Sequence, residues 1–280
     1  TMNYAFNGAS SFNSDLSRWD VSKVKSFSNC FKDASIFNQD ITNWDVSSAT
    51  DMRSIFRNAE AFEIASLSTW DVSRVNNMGD AFRDATKFNG DLRNWDVSQV
   101  TDMGSMFSST DFFNSKISNW NTAKNRDFSY MFYNAKAFNQ DISNWDVSNV
   151  KNMSEMYMGA TSFNQDISTW DVSNVENMSH MFSGAVSFNQ SIGNWNVSNV
   201  KNMCGMFSDT EAIGIKAFVG SYEYRRAGSS SFNQPIGNWN VANVENMDYM
   251  FSGATSFNQD KRNRNGSNEK RIVKMCSGAR

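Results

Sequence analysis

Few residues in this 280-residue sequence could carry catalytic or metal chemistry. The single histidine, His180, occupies a position held in other repeats by Ser105, Tyr130 and Glu155, which predicts a solvent-facing side chain without a catalytic role. One histidine excludes a metal cluster built on several imidazoles. The cysteines, at positions 30, 204 and 276, are too few and too scattered for a disulfide framework or a four-cysteine zinc site.

Carboxylates are the remaining chemical groups, and pairs of them could perform the acid–base chemistry of a glycosidase. These aspartates recur in unit after unit, whereas an active site is a single exception within a scaffold. No Walker-type loop or G-x-G-x-x-G motif accompanies them. The sequence therefore predicts a protein that is not an enzyme and has no cofactor and no metal centre.

The elements that would position these side chains follow a repeat that the nine tryptophans mark. Successive tryptophans are 25 or 26 residues apart, except for a last interval of 44. They are Trp19, Trp44, Trp70, Trp95, Trp120, Trp145, Trp170, Trp195 and Trp239. A fixed period of this length is typical of solenoids and propellers, in which stacked units bury one continuous core.

Each unit divides into two halves, as the segment from 142 to 167 illustrates. Trp-Asp-Val-Ser alternates apolar and polar residues, which predicts a short strand with the aspartate and serine facing outward. Val150, Met153, Tyr157 and Ala160 have the spacing of one helical stripe. We therefore predict an α/β solenoid of about nine 25-residue strand–helix coils with a parallel sheet on one face.

Stacking of such coils would align identical side chains into columns. A phenylalanine recurs once per unit in the return turn, and a column of asparagines follows it directly. These asparagines, at 13, 38, 89, 114, 139, 164, 189, 233 and 258, are predicted to bridge backbone groups of neighbouring coils.

The motif FNQDISNWDVSNV, followed by NM-x-x-MF-x-x-A, resembles the BspA-like leucine-rich-repeat surface proteins with DUF285-type repeats. The resemblance covers about residues 2–257 with one interruption. It implies a leucine-rich-repeat-like solenoid, a cell-surface or extracellular location, and a role in adhesion or host interaction. The family supplies no catalytic residues. The opening Thr-Met-Asn-Tyr-Ala-Phe has no signal peptide pattern, no anchor is evident, and the start within a repeat predicts a segment upstream.

Two segments depart from the repeat and define the predicted domain organisation. Residues 1–260 form the repeat domain, from which residues 211–229 extend as a loop, either a specificity loop or a sequence without function. Residues 261–280 form a basic tail, either disordered or in contact with an acidic partner or membrane surface, with seven basic residues and one acidic residue.

The first 260 residues hold 19 basic against 28 acidic residues, which argues against nucleic-acid binding. No apolar run is long enough to span a membrane.

The residue after each tryptophan, usually an aspartate, forms the column of greatest functional interest. Either these side chains hydrogen-bond nearby backbone and keep the surface soluble, or the row binds weak cations or basic partners. The predicted partner-binding face comprises Asp45, Asp71, Asp96, Asp146, Asp171, Ser98, Ser148 and Ser173. The leading functional hypothesis is a non-enzymatic scaffold that recognises a protein or glycan. A structural spacer in a wall or matrix is the alternative, and a polysaccharide-active enzyme is remote.

Overall fold

The computed structural model describes residues 1–209 and 231–259. Within these residues there is no helix, and no strand is longer than an isolated bridge. The predicted α/β architecture of strand–helix coils with a parallel sheet is therefore wrong. The chain instead forms stacked coils that are built from consecutive β-turns, and the bridges, all parallel, join equivalent residues of neighbouring coils. Most of them lie in one row, at Ser26, Asp51, Asn77, Asp102, Asp127, Asn152, Asn177, Asn202 and Asn246.

One coil, from residue 142 to residue 166, shows how the turns follow each other. The backbone N–H of Trp145 donates to the carbonyl of Ile142, and that of Val150 donates to Val147. Further turns close over residues 153–156, 157–160 and 160–163. In each turn the first and fourth residues are buried corners. A four-residue turn with apolar corners thus replaces both predicted elements.

The segment from 152 to 160 and its equivalents in the other coils, which we call the turn ladder, carries most of the hydrogen bonds between coils. The N–H groups of Met153, Glu155, Tyr157 and Gly159 donate to carbonyls of the next coil at 2.8–2.9 Å. The alternate N–H groups, from Met156 to Ala160, donate within the coil, three residues back. Because every amide in the segment from 153 to 160 has a partner, this irregular backbone can lie at the core without unpaired polar groups.

The turn ladder requires a left-handed backbone at the third residue of its turns, as in type II turns. Glu155 has φ 57° and Gly159 has φ 72°, and the pattern recurs at equivalent positions of the other coils. The spacing of buried residues in these turns imitates a helix. Corners at the first and fourth positions of successive four-residue turns lie on the same side, as positions i, i+3, i+4 and i+7 of a helix do. The predicted strand fails for a similar reason, because Trp145 and Val147 are corners of two adjoining turns.

Aromatic columns fill the core. Phe132 stacks on Phe138 within its coil at 3.8 Å between ring centroids, and on the next coil's Tyr157 at 5.7 Å. Trp95 stacks in parallel on Trp120 at 6.4 Å. The tryptophans are 2–6% exposed apart from Trp19, which is 48% exposed. The prediction of interior tryptophan and phenylalanine columns is confirmed for the central coils.

Polar side chains also tie one coil to the next. Each indole N–H from Trp44 onward donates to a carbonyl of the preceding coil, as Trp145 does to Ile117 at 3.0 Å. The asparagine column behaves as predicted, since Asn164 Oδ1 accepts the backbone N–H of Asn189 at 2.9 Å. Glu63 interrupts this column between Asn38 and Asn89.

The coil register continues on both sides of the long tryptophan interval. Phe207 and Phe232 stack at 4.0 Å, the same arrangement that other coils form from phenylalanines six residues apart. Residues 211–229 and 261–280, for which we predict an extended loop and a basic tail, lie outside the described residues.

Candidate functional site

The acidic corner row, which we define as Asp45, Asp71, Asp96, Asp146 and Asp171, lies at the corner between two turns of each coil. All five side chains are exposed. In each, Oδ1 accepts the backbone N–H of the serine two residues later at 3.0 Å. This is the local hydrogen bond of an Asx-turn, and it fixes the corner. The structure thus supports the structural explanation for why aspartate recurs there.

The predicted serine partners lie beside these carboxylates. Ser98, Ser148 and Ser173 are half-buried, and each donates its N–H to the aspartate of its own coil. The Ser148 hydroxyl also donates to Asp146 Oδ1 at 2.6 Å. The structure therefore places all eight residues of the predicted face on one type of turn corner and not on the predicted sheet face, and Oδ1 of each carboxylate already accepts a hydrogen bond.

Hydrogen bonds within the corner favour the ionised carboxylate at Asp45, Asp71 and Asp171. The hydroxyl and then the backbone N–H of Ser47 lower the pKa of Asp45, while Asp20 and Asp71 in the neighbouring coils oppose that shift more weakly. The same two donors on Ser73 and on Ser173 lower the pKa of Asp71 and of Asp171. The row is thus a line of negative side chains that Asn121 interrupts, and Asn196 follows its last member.

The outward positions of the turn ladder form a second surface, which the sequence analysis did not single out. At the left-handed position of its first turn, successive coils carry different residues while the corners barely change. These residues are Tyr4, Asn29, Ser54, Asp80, Ser105, Tyr130, Glu155, His180, Gly205 and Tyr249. This variation is visible in the sequence, because aligning the repeats places His180 in one column with Glu155, Tyr130 and Ser105. It could have indicated a functional surface.

His180 is half-buried, so the prediction of a freely solvent-facing side chain is wrong. Its ring lies against Gly205 of the next coil, where any Cβ would clash with it. Burial lowers the pKa of the imidazole, and Nδ1 is buried without a hydrogen-bond partner among the described residues. The imidazole is therefore mostly neutral at pH 7.

Tyr130 and Glu155 are the neighbours that precede His180 in the column. The Tyr130 hydroxyl donates to Glu155 Oε1 at 2.7 Å. Burial, followed by this hydrogen bond, raises the pKa of Tyr130 to about 12, and burial raises the pKa of Glu155. The three side chains thus form a row of polar groups across three consecutive coils.

Two free cysteines, Cys30 and Cys204, lie in the described part of the chain. Burial raises the pKa of Cys30 to about 12 and raises that of the half-buried Cys204. A thiol with a raised pKa is a poor nucleophile. Across residues 1–209 and 231–259, no three histidine, cysteine, aspartate or glutamate side chains are grouped so that they could hold a metal ion. These residues also contain no helix capable of crossing a membrane.

Comparison with solved structures finds TLR13, in a crystal structure of its complex with ssRNA13. The two chains share 10% sequence identity with a TM-score of 0.27. The alignment covers 90% of this chain and 44% of that chain, so this chain spans less than half of TLR13. A TM-score this low carries no argument about fold or function. No curated protein matches the chain.

Comparison with protein families is more informative. One family profile, described as "Mycoplasma protein of unknown function, DUF285", matches residues 1–66, 61–166, 114–218 and 217–280. Together these matches cover the whole repeat region, in agreement with the DUF285-type repeats that the motif suggested. The chain therefore belongs to the DUF285 family.

Proposed function

We propose that this protein is a non-enzymatic repeat scaffold for recognition or adhesion at a cell surface, and that the acidic corner row binds basic segments of a protein partner. The observation that carries the proposal is the row itself, because it repeats one exposed, ionised carboxylate at the same corner of coil after coil. Rigid groups lose little entropy on binding, so several weak ion pairs can add.

The backbone also supports this role. The Asx-turn holds each carboxylate in place through Oδ1, while the second oxygen of Asp96, Asp146 and Asp171 faces no backbone N–H donor among the described residues. That oxygen is available to a lysine or arginine of a partner. Ion pairs at exposed sites are weak individually and are screened by salt.

The experiment compares the wild type with the triple variant Asp96→Asn, Asp146→Asn and Asp171→Asn. Asparagine retains the Oδ1 acceptor, and Asn196 already makes the equivalent bond to Ser198 at 3.2 Å, so the variant should fold. Binding to immobilised lysine-rich and arginine-rich peptides should weaken about tenfold in the variant and decrease with salt in the wild type. Equal, salt-independent binding would contradict the proposal.

A spacer without a ligand is the second candidate, because the coils also form a rigid internal lattice without any binding event. If no basic peptide binds either protein, the spacer becomes the better account. Release of reducing sugar from a panel of polysaccharides would instead show that the protein is an enzyme.

A further inference from the structure

Three consecutive coils place residues with an unfavourable backbone at the same position of the turn ladder. Tyr130, Glu155 and His180 have φ angles of 57°, 57° and 54°. Left-handed backbone disfavours residues with a Cβ by about 1–2 kcal/mol, and glycine, asparagine and aspartate tolerate it best. Three other coils satisfy this preference with Asn29, Asp80 and Gly205, whereas the remaining coils carry Tyr4, Ser54, Ser105 and Tyr249. The tyrosine and the glutamate are therefore not explained by what the turn requires.

Backbone strain of this kind concentrates at functional sites, where the side chain has a role that offsets the strain. We call Tyr130, Glu155, His180 and Gly205 the ladder patch. Tyr130 is 38% exposed, and its ring tilts against Tyr133 at 5.8 Å. Its hydroxyl is held by Glu155, while His180 lies over Gly205 with Nδ1 unpaired among the described residues.

The surroundings of the ladder patch are small and rigid. The residues that directly precede its first three members are Ser129, Ser154 and Ser179. Gly159 and Gly184 occupy the second left-handed position of two of these coils. The backbone beneath is fixed by the hydrogen bonds between coils, so a ligand would meet preorganised groups and lose little entropy to their ordering.

The chemistry of the patch distinguishes among ligand classes. It offers an aromatic ring and a carboxylate, and the turn residues from 129 to 134, 154 to 159 and 179 to 184 include no lysine or arginine. An aromatic ring packs against apolar C–H faces, and a carboxylate accepts hydrogen bonds from hydroxyl groups. An anionic ligand would find no cation within these turns, and the nearby Arg83 already pairs with Asp80 and Asp84.

A folded protein partner fits less well than a sugar. Stable protein interfaces bury about 1,000 Å² or more around several large anchors. Among the described residues of the turns from 129 to 134, 154 to 159 and 179 to 184, Tyr130 is the one large hydrophobic side chain that is well exposed, since Tyr133 and Met158 are each 5% exposed. The next exposed ring in the column, Tyr249, lies beyond Gly205. A narrow row of polar groups with one exposed ring matches a short polyhydroxylated chain.

We propose that the ladder patch is a binding site for a neutral oligosaccharide that lies along the stack, with a sugar ring on Tyr130, hydroxyl groups donating to Glu155, and the chain continuing past the half-buried ring of His180. The inference rests on the proposed function as a recognition scaffold, but it uses a different surface from the acidic corner row. It adds a ligand class and a specific site to that function.

The single histidine provides a direct reporter for the test. Neutral hexasaccharides of glucose, mannose and N-acetylglucosamine are titrated into the protein at millimolar concentration, with binding measured by calorimetry and by the NMR signals of the His180 imidazole. At least one hexasaccharide should bind and shift these signals. If none of the three binds, the proposal is overturned.

Matched variants then locate the site. Tyr130→Asn and Glu155→Asn each place a left-handed-compatible residue at the position, as Asn29 does naturally, so both should fold. Each should weaken binding about tenfold. The control is Tyr4→Asn, because Tyr4 has the same φ of 57° in the same column but lies several coils away. Unchanged binding in both patch variants, or an equal loss in the control, would overturn the assignment.

The triple variant of the acidic corner row separates this inference from the proposed function. It should bind the hexasaccharide like the wild type while losing basic peptides. Sugar binding that is lost in the triple variant and kept in Tyr130→Asn would place the sugar on the corner row and overturn only the ladder patch. A basic peptide that shifts the His180 signals and displaces the hexasaccharide would show that the patch is a peptide site. Failure of both sugars and basic peptides to bind would reject both proposals.

Discussion

At the scale of single residues, the side chains that recur in every coil contact a neighbouring coil. The indole of Trp145 illustrates this, because its ring fills the core and its N–H satisfies a carbonyl of the preceding coil. Such roles were only partly predictable from sequence. The columns of tryptophan, phenylalanine and asparagine follow from a strict period. The donor–acceptor pairs depend on a backbone path that the period alone does not specify.

Tyr157 is an exception to the aromatic columns, and it leads to a stability prediction. It is fully buried where the neighbouring coils have Phe132 and Phe182, and its hydroxyl has no hydrogen-bond partner among the described residues. Because a buried unpaired hydroxyl is unfavourable, Tyr157→Phe should raise the free energy of unfolding by about 1 kcal/mol in denaturant titration. The reciprocal change, Phe182→Tyr, should lower it. A destabilised Tyr157→Phe variant would show that the hydroxyl has a partner.

Asp171 leads to a prediction about pH. The hydroxyl and N–H of Ser173 lower the pKa of Asp171 in the folded protein below the ordinary 3.8. Its contribution to stability is therefore fully present above pH 3.8 and is lost as the pH falls through the folded-state pKa. The free energy of unfolding of the wild type should exceed that of Asp171→Asn at pH 7, and the difference should shrink in acid. Half-buried carboxylates with raised pKa values, such as Asp102, contribute equally to both proteins and cancel in this comparison. A difference independent of pH would contradict the argument.

At the scale of elements, the difference between prediction and structure comes from periodicity. Val150, Met153, Tyr157 and Ala160 were correctly predicted to be buried on one side. The same spacing fits a helix and a series of four-residue turns, so the pattern of apolar residues cannot separate the two. Residues at the left-handed positions could have favoured turns, since Asn29, Asn58, Asp80 and Gly159 are typical of positive φ. Tyr130 and Glu155 at the equivalent positions obscure that signal.

The functional surfaces were predictable to different extents. The acidic corner row was found because its members are identical in coil after coil. The ladder patch was missed because its members differ and because the column was assigned to the solvent face of a helix. The free energy of unfolding of a glycine-to-alanine variant at the left-handed position distinguishes the turn from a helix. A helix favours alanine over glycine, whereas left-handed backbone favours glycine.

Two glycines in one column of the turn ladder allow that test. Gly159 and Gly8 both have φ 72°, but a Cβ on Gly159 would clash with Asn134 of the preceding coil, while one on Gly8 would meet nothing within 4 Å. Gly8→Ala should destabilise by about 1–2 kcal/mol from backbone strain alone. Gly159→Ala should destabilise by more, as measured by the free energy of unfolding. An increase in stability for Gly159→Ala would indicate a helix.

At the scale of the whole molecule, the chain is a lattice in which backbone bonds run between coils as well as within them. The stacking of Phe207 on Phe232 shows that this lattice keeps its register across the longest interval between tryptophans. Stability in such an assembly is a sum of units and nearest-neighbour contacts. Because the lattice fixes the backbone, the acidic corner row and the ladder patch can vary in side chain without changing their spacing.

The most direct test of this account is an NMR measurement of scalar couplings across hydrogen bonds in the turn ladder. The structure has the amide of Tyr157 donating to the carbonyl of Met181 at 2.9 Å and that of Glu155 donating to Ser179 at 2.8 Å. Couplings should therefore connect these amides to carbonyls 24 residues later in the sequence. A helix would instead connect each amide to the carbonyl four residues earlier, so that Tyr157 pairs with Met153. Observation of the second pattern would contradict the stacked-turn architecture.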